Sequence, residues 1–247
     1  VIDSAAEGGR LKLIIRGGVG VDNIDVKYAE EKGIQVKNTP KASSDAVAEL
    51  ALAHMLSVAR FISAAGHTMR ENKWEKKAYK GIELSGKTIG IVGYGRIGQA
   101  LGNRCQALGM KVLAYDIYQV PELQNESMKY VEMDELLKTS DFISLHIPSL
   151  PGEPMVNKAT IEKMKDGVVI INTSRGTNID ESALLEALKS GKVYGAGLDV
   201  YAEEPSKNPE LYSHPKVSCT PHIGASTSEA QKRIGKEIVS IITKFFA

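Results

Sequence analysis

In the second half of the chain short apolar runs recur at residues 88–92, 111–115, 141–147, 168–173, 195–200 and 216–220. Between most of them lie stretches with apolar residues at helical spacing: 97–108, 133–139, 159–165 and 181–189. Apolar runs without polar alternation are strands buried on both faces, and strands that alternate with helices form a parallel sheet covered on each side. Asp180 stands where a carboxylate caps the first turn of the 181–189 helix, and Gly191 where a left-handed residue ends it. Residues 201–215 break the alternation as a proline-bearing loop, and residues 227–246 close the chain as an amphipathic helix.

The first part of the chain is less regular. A strand is expected at residues 11–15, followed by a glycine-rich loop at 16–25 in which Asn23 or Asp25 would cap the next helix. A second strand at Ile34-Gln35-Val36 ends at Asn38-Thr39-Pro40. Ser43-Ser44-Asp45 opens a long helix whose apolar positions cover most of its circumference, the mark of a helix buried between layers or in a subunit contact. Its most apolar part, residues 46–62, contains Glu49, His54 and Arg60, which suits a buried helix and not a bilayer span. Residues 66–79 read as a polar, basic connector. Residues 1–7 read as the middle of a helix and not as a natural start, so a preceding N-terminal part is expected.

Composition changes this picture little. The 247 residues carry a net charge of +1, with 43% hydrophobic and 25% charged, so neither nucleic acid nor a membrane is called for as a partner. Cys105 and Cys219 lack the spacing of a metal site or redox pair; no metal is expected, and a reducing, cytoplasmic setting is.

Candidate chemistry begins at Gly93-Tyr94-Gly95-Arg96-Ile97-Gly98, which follows the 88–92 strand and opens the 97–108 helix. Glycines at this spacing make a tight turn, let a pyrophosphate approach the backbone, and allow the helix to pack closely on the strand. The pyrophosphate would rest at the helix N-terminus, where N–H groups and the helix dipole favour negative charge. Asp116, at the end of the next strand, would accept hydrogen bonds from both adenosine ribose hydroxyls and repel a 2′-phosphate. No Arg or Lys occurs in Ile117-Tyr118-Gln119, so the cofactor these residues point to is NAD and not NADP. A turn whose glycines only pack a helix on a strand is the competing reading, and strand, helix and acid together weigh against it.

Reduction of a 2-keto acid by a nicotinamide needs three further groups: a cation for the carboxylate and carbonyl, a proton donor, and a carboxylate to favour the donor's charged form. The strand ends carry all three. Arg175, after Asn172-Thr173-Ser174, offers a guanidinium that can fork onto a carboxylate, although most arginines are solvated surface groups. Asp199, in Gly197-Leu198-Asp199-Val200, would anchor the nicotinamide amide or ribose, or else cap a turn. Glu204 lies in Glu203-Glu204-Pro205, and His222 in Thr220-Pro221-His222-Ile223-Gly224-Ala225-Ser226; imidazole titrates near the working range, and a neighbouring carboxylate favours its charged form. Among the other histidines, His54, His67 and His214 read as structural or solvated, and His146 as a strand-end residue that either packs or lines the cofactor cleft.

Together these segments resemble the D-isomer-specific 2-hydroxyacid dehydrogenase family, from about Leu11 to the C-terminus. The resemblance implies an α/β fold: a Rossmann-type doubly wound parallel sheet at residues 38–225 that binds NAD, plus part of a smaller flavodoxin-like substrate domain at 1–37 and 226–247. The family's opening strand-helix-strand stretch would precede Val1, and basic groups for a substrate phosphate are expected there. By motif, Arg175, Glu204 and His222 would be catalytic, and Gly17, Gly18, Val19, Gly20, Asn38 and Arg175 would meet the substrate. Val19, Gly93, Gly95, Arg96, Ile97, Gly98, Asp116, Ile147, Thr173, Ser174, Asp199, Gly224 and Ala225 would contact NAD.

The 16–25 loop, Trp74 with the lysines after it, and residues 222–227 are most similar to members that oxidise 3-phospho-D-glycerate to 3-phosphohydroxypyruvate, the entry to serine biosynthesis. That similarity implies a small, phosphorylated 2-hydroxy or 2-keto acid as substrate, and a homodimer or higher homo-oligomer built largely through residues 44–62. Two other readings stand beside it. One keeps the chemistry and takes glycerate/hydroxypyruvate, glyoxylate or D-lactate; the other is an NAD(H)-sensing binding protein, against which the complete Arg175–Glu204–His222 set argues. Tyr201 stands where the family usually has phenylalanine, a change expected to be harmless.

Overall fold

The computed structural model describes residues 2–247. In chain order the elements are α1 (Ile2–Glu7), β1 (Leu13–Arg16), α2 (Val26–Glu31), β2 (Gln35–Asn38), α3 (Ser44–Arg60) and α4 (Ile62–Arg70). There follow β3 (Thr88–Val92), α5 (Arg96–Ala107), β4 (Lys111–Tyr115), β5 (Met128–Tyr130), α6 (Met133–Thr139), β6 (Phe142–Leu145) and α7 (Lys158–Lys163). The chain closes with β7 (Val168–Asn172), α8 (Glu181–Ser190), β8 (Val193–Leu198), α9 (Pro209–Tyr212), β9 (Val217–Cys219) and α10 (Ser228–Phe246). They form two compact units, residues 47–223 and residues 1–46 with 224–247. The sequence expectation set the divisions at 37/38 and 225/226. Residues just beyond 38 stay with the smaller unit because Thr39 N–H donates to the Gly18 carbonyl at 3.0 Å and Arg233 Nε to the Ala42 carbonyl at 2.8 Å.

In the smaller unit β1 and β2 pair in parallel, Leu13 opposite Gln35 and Arg16 opposite Asn38. Asp25 caps the crossover helix α2, its side chain accepting the Tyr28 N–H at 3.0 Å. Thr227 caps α10 through the Ala230 N–H at 3.1 Å. The expected helix at residues 1–7 is present over Ile2–Glu7, and Val1 lies outside the described residues.

The larger unit is a seven-stranded parallel sheet in the order β5-β4-β3-β6-β7-β8-β9, a Rossmann-type α/β fold as the alternating pattern predicts. Strand order reverses between β3 and β6, the switch point where sheets of this kind open a crevice at the carboxyl ends of their strands. Alternate residues of each strand face opposite sides. Ile143, Leu145, Val168 and Ile170 pack with Leu136, Leu184 and Leu188 on one side; Ile89, Ile91, Phe142, Val169 and Ile171 pack with Met55, Val58 and Leu101 on the other. Asp180 accepts N–H bonds from Ser182 and Ala183, and Gly191 ends α8 at φ 81°, both as expected.

Helix α3 reaches the sheet at two glycines. A Cβ at Gly197 would stand 2.5 Å from the Cβ of His54 and 2.8 Å from Ile171 Cδ1, so only glycine lets the helix lie this close to β8.

Three expectations need correction. The 66–79 connector begins as helix, because α4 runs from Ile62 to Arg70. Phe61, at φ 54°, breaks the chain between α3 and α4, which bend by 67°; its ring stacks 5.9 Å from Tyr79 and 6.0 Å from Tyr194, tertiary contacts without a local sequence signal. The edge strand β5 and the one-turn helix α9, within the 201–215 loop, are too short to show a period. No single helix among the described residues is long and apolar enough to cross a membrane.

Candidate active site

The glycine turn between β3 and α5 has the geometry a dinucleotide needs. Gly93 adopts φ 90°, and a Cβ there would press on the His146 carbonyl at 2.5 Å; a Cβ at Gly98 would overlap the Gly93 carbonyl oxygen. Gly95, by contrast, faces open space and serves as N-cap of α5 without a side-chain cap hydrogen bond, so the N-cap residue leaves the first N–H groups of α5, at Arg96 and Ile97, to another partner. Such a helix start is an anion site. Asp116 follows β4 and is tied to the turn, its Oδ2 accepting the Tyr94 N–H at 2.6 Å and its Oδ1 the Tyr118 N–H at 2.9 Å. Each carboxylate oxygen keeps a second acceptor site for a ribose hydroxyl.

Strands β6, β7 and β8 bring Ile147, Thr173, Ser174, Arg175 and Asp199 to the same edge of the sheet. Asn172, fully buried, shapes the turn after β7: its Nδ2 donates to the Arg175 carbonyl at 2.8 Å, and its Oδ1 accepts from Ser174 N and Oγ at 3.0 and 2.8 Å. Buried Asn178 bridges the Ile147 carbonyl and Ser174 Oγ at 3.1 and 3.2 Å, a joining role the sequence gave no sign of. Thr173 Oγ1 is buried with no partner among the described residues. An orphaned hydroxyl at this strand end fits a ligand that supplies the missing bond. With the uncapped helix and the glycine cradle, these residues fit NAD. Among the described residues no group of three His, Cys, Asp or Glu could hold a metal ion.

Beyond β8 and β9 the chain brings Glu204 against His222. His222 Nδ1 and Glu204 Oε2 are 2.7 Å apart, and Glu204 Oε1 accepts the Tyr201 N–H at 3.2 Å. His222 sits at φ 54°, uncommon for a non-glycine residue and a feature that gathers at functional sites. Its backbone N–H donates to the Asp199 carbonyl at 2.8 Å. The side chains are 50% and 38% exposed, so the pair can be reached from outside. A cleft of about 570 Å³ opens beside it, walled by Tyr201, Tyr212 and Cys219 as well as the pair itself. Arg175 does not line this cleft; it belongs to the neighbouring strand end, where Gly176 packs against the Tyr201 backbone. Asp199 Oδ1 accepts from Thr220 Oγ1 at 2.6 Å and Ile223 N at 2.8 Å, so it also holds the loop that presents His222.

The remaining expected residues lie in the smaller unit. In the 16–20 loop the Gly18 N–H is turned onto the Arg16 carbonyl at 2.9 Å, and Asn38 Nδ2 donates to the Val19 carbonyl at 2.5 Å. Asn38 therefore braces the loop, and the Gly18 N–H is already committed. Gly224 and Ala225 also fall in this unit, with the Ala225 carbonyl accepting from Thr227 N at 3.0 Å and Gln231 Nε2 at 3.1 Å. Elsewhere, Cys105 is a buried thiol that burial pushes up to about 12, and His67 pairs with Glu71 on the surface. Burial pulls His146 down to about 4; its Nε2 lies 2.9 Å from Ser144 Oγ.

Comparison with known proteins agrees with this geometry. Residues 52–224 match the family model for the D-isomer specific 2-hydroxyacid dehydrogenase, NAD binding domain. The chain is 52% identical to a hydroxypyruvate reductase of Thermotoga maritima, over 98% of this chain and 80% of that protein. It is 48% identical to a D-3-phosphoglycerate dehydrogenase of Methanocaldococcus jannaschii over 95% of this chain, which spans only 45% of that longer protein. Among solved structures, D-lactate dehydrogenase from Aquifex aeolicus complexed with NAD and lactic acid superposes with a TM-score of 0.87 at 36% identity, covering 96% of this chain and 77% of that one. The chain therefore belongs to the D-isomer-specific 2-hydroxyacid dehydrogenase family of NAD-dependent oxidoreductases.

Proposed function

We propose that the chain interconverts a three-carbon D-2-hydroxy acid and its 2-keto acid, with 3-phospho-D-glycerate and 3-phosphohydroxypyruvate as the first pair to test. The contact that carries the reading is His222 Nδ1 against Glu204 Oε2 at 2.7 Å. NAD, when bound, supplies the hydride acceptor in oxidation and, reduced, the donor in reduction. Glu204 takes the Nδ1 proton of His222 in a hydrogen bond, which leaves Nε2 as the atom that exchanges a proton with the substrate. In reduction Nε2–H protonates the C2 oxygen; in oxidation the unprotonated Nε2 accepts the hydroxyl proton. Arg175 holds the substrate carboxylate through its planar fork of N–H groups. Asp199 accepts from the nicotinamide carboxamide, and Asp116 from the ribose.

Support for a phosphorylated substrate comes from the likeness to phosphoglycerate dehydrogenases. A second reading, hydroxypyruvate and glycerate without the phosphate, is favoured by the Thermotoga relative, which matches over most of its length. Lys73, beside Trp74, lends the phosphate little weight, because it is exposed and engaged by Glu71 at 2.8 Å. A homodimer belongs to the proposal, with α3 and its neighbourhood as the contact.

Specificity constants for phosphohydroxypyruvate and hydroxypyruvate, measured side by side, decide between the substrates. His222→Gln should bind NADH normally and turn over about 100-fold or more slowly, as loss of a general acid requires. Wild-type turnover in that variant would remove His222 from the mechanism. Tight NADH binding with no turnover on any 2-keto acid would favour the sensor.

A further inference from the structure

Between α3 and the ends of β8 and β9 the larger unit holds a line of polar side chains, His54, Ser218 and Thr220, that leads to Asp199 and that the proposed reaction itself leaves unused. His54 is 2% exposed. Its Nδ1 lies 2.9 Å from Ser218 Oγ and its Nε2 3.0 Å from Thr220 Oγ1. Thr220 Oγ1 in turn lies 2.6 Å from Asp199 Oδ1, the oxygen that also accepts the Ile223 N–H. Close approach of the helix at Gly197 is what allows this reach, since any side chain there would displace His54.

The direction of each bond follows from the chemistry of the groups. A carboxylate oxygen only accepts, so Thr220 gives its single hydroxyl proton to Asp199. The Thr220 oxygen then has acceptor capacity alone for His54, and Nε2 must carry the ring proton. Burial lowers the pKa of His54, with the charge of Asp199 opposing, and this favours the neutral ring. A neutral ring protonated at Nε2 presents Nδ1 as acceptor, and Ser218 supplies the O–H. Every link is ordered toward Asp199.

We propose that His54 is a positioning residue for the nicotinamide end of the site, acting through Thr220 to hold the Asp199 carboxylate in the orientation that receives the carboxamide N–H. Without the His54 N–H, the Thr220 hydroxyl is free to rotate, and its hold on the plane of the carboxylate is loosened. The inference rests on Asp199 as the carboxamide acceptor, and the test separates the two.

The experiment measures dissociation constants, by fluorescence titration, for NADH and for its reduced 3-acetylpyridine analogue, whose acetyl group has no N–H to donate. Variants are made in the full chain: Asp199→Asn, Thr220→Val, His54→Met, His54→Gln and the Thr220→Val/His54→Met double variant. Thr220→Val and His54→Met should each lower the preference for NADH over the analogue roughly five- to tenfold, the effect of loosening one hydrogen bond to a charged group. The double variant should lose no more than either single one, because both break the same line. His54→Gln, whose amide nitrogen reaches the place of Nε2, should restore most of the preference. A purely structural role would lower the melting temperature and leave the preference unchanged. Should Asp199→Asn shift the preference while Thr220→Val and His54→Gln both match wild type and His54→Met does too, the line from His54 is refuted and Asp199 keeps its role. Should Asp199→Asn itself match wild type, the reading of Asp199 falls, and this inference with it.

Discussion

Replacing Glu204 by glutamine keeps the shape of the side chain and removes the charge opposite His222. Glu204 makes two contacts, Oε2 with His222 Nδ1 at 2.7 Å and Oε1 with the Tyr201 N–H at 3.2 Å, and the amide can retain one of them. In the proposed reaction His222 is charged in one half of the cycle and neutral in the other; Glu204 accepts the Nδ1–H in both, and its charge adds an attraction for the charged form. Unit charges about 4 Å apart attract by about 1 kcal/mol in water and about 4 kcal/mol at an effective dielectric constant of about 20. With side chains 50% and 38% exposed, the open site lies toward the lower figure. Bound substrate excludes water and raises it. A loss of about 2–3 kcal/mol at the transition state corresponds to roughly a 30- to 150-fold fall in kcat. Glu204 is one group removed from the substrate, so KM for the keto acid and the dissociation constant of NADH should change by less than about threefold. Steady-state NADH oxidation, nucleotide titration and thermal unfolding on the same preparation make the check. A kcat within about twofold of wild type, in a folded variant that binds NADH, would refute Glu204 as the partner of His222.

Three further outcomes are expected. Asp116→Asn keeps an acceptor oxygen for one of the Tyr94 and Tyr118 N–H groups but loses the charge that repels a 2′-phosphate, so the ratio of NADH to NADPH specificity constants should fall about tenfold or more; an unchanged ratio would dismiss Asp116 as the selector. Burial lowers the pKa of His146 to about 4 and also lowers that of His54, whereas unfolded histidine protonates near 6.5. The unfolded chain therefore binds more protons below that value, and stability present above pH ~6.5 is lost as pH falls toward the folded values. Urea unfolding at several pH values should show this slope, and His146→Gln should flatten it; identical slopes would contradict the burial argument. Gly197→Ala places a methyl 2.5 Å from the His54 Cβ and 2.8 Å from Ile171 Cδ1. Overpacking of this kind costs about 1–3 kcal/mol, read as a lower melting temperature together with weaker discrimination against the acetylpyridine analogue.

Much of the fold was legible along the chain because its cues are local. The strands Thr88–Val92 and Lys111–Tyr115 fall where their apolar runs do: residues 89–92 are buried on both faces, and Lys111–Tyr115 buries Val112 and Ala114 while Lys111 stays exposed. Asp180 and Gly191 bound α8 through geometry that involves only their own turns. The glycine turn between β3 and α5 was readable for the same reason: the left-handed φ at Gly93 and the close approach of Gly98 to the Gly93 carbonyl restrict residue choice within the turn. The break at Phe61, the edge strand Met128–Tyr130 and the bracing role of Asn178 were not readable, because each depends on side chains from distant elements or on too few residues to show a period. His54 is the sharpest case. Its position in an apolar helix announces burial, yet its meaning depends on Thr220, 166 residues away, and on a sheet order that sets β8 beside β9 beneath the helix. Residue type and spacing thus dictate which segments become strands, turns and caps, since those follow from backbone sterics and burial of nearby side chains. Which imidazole meets which carboxylate or hydroxyl is decided by the packing of whole elements, a long-range outcome that no window of sequence contains.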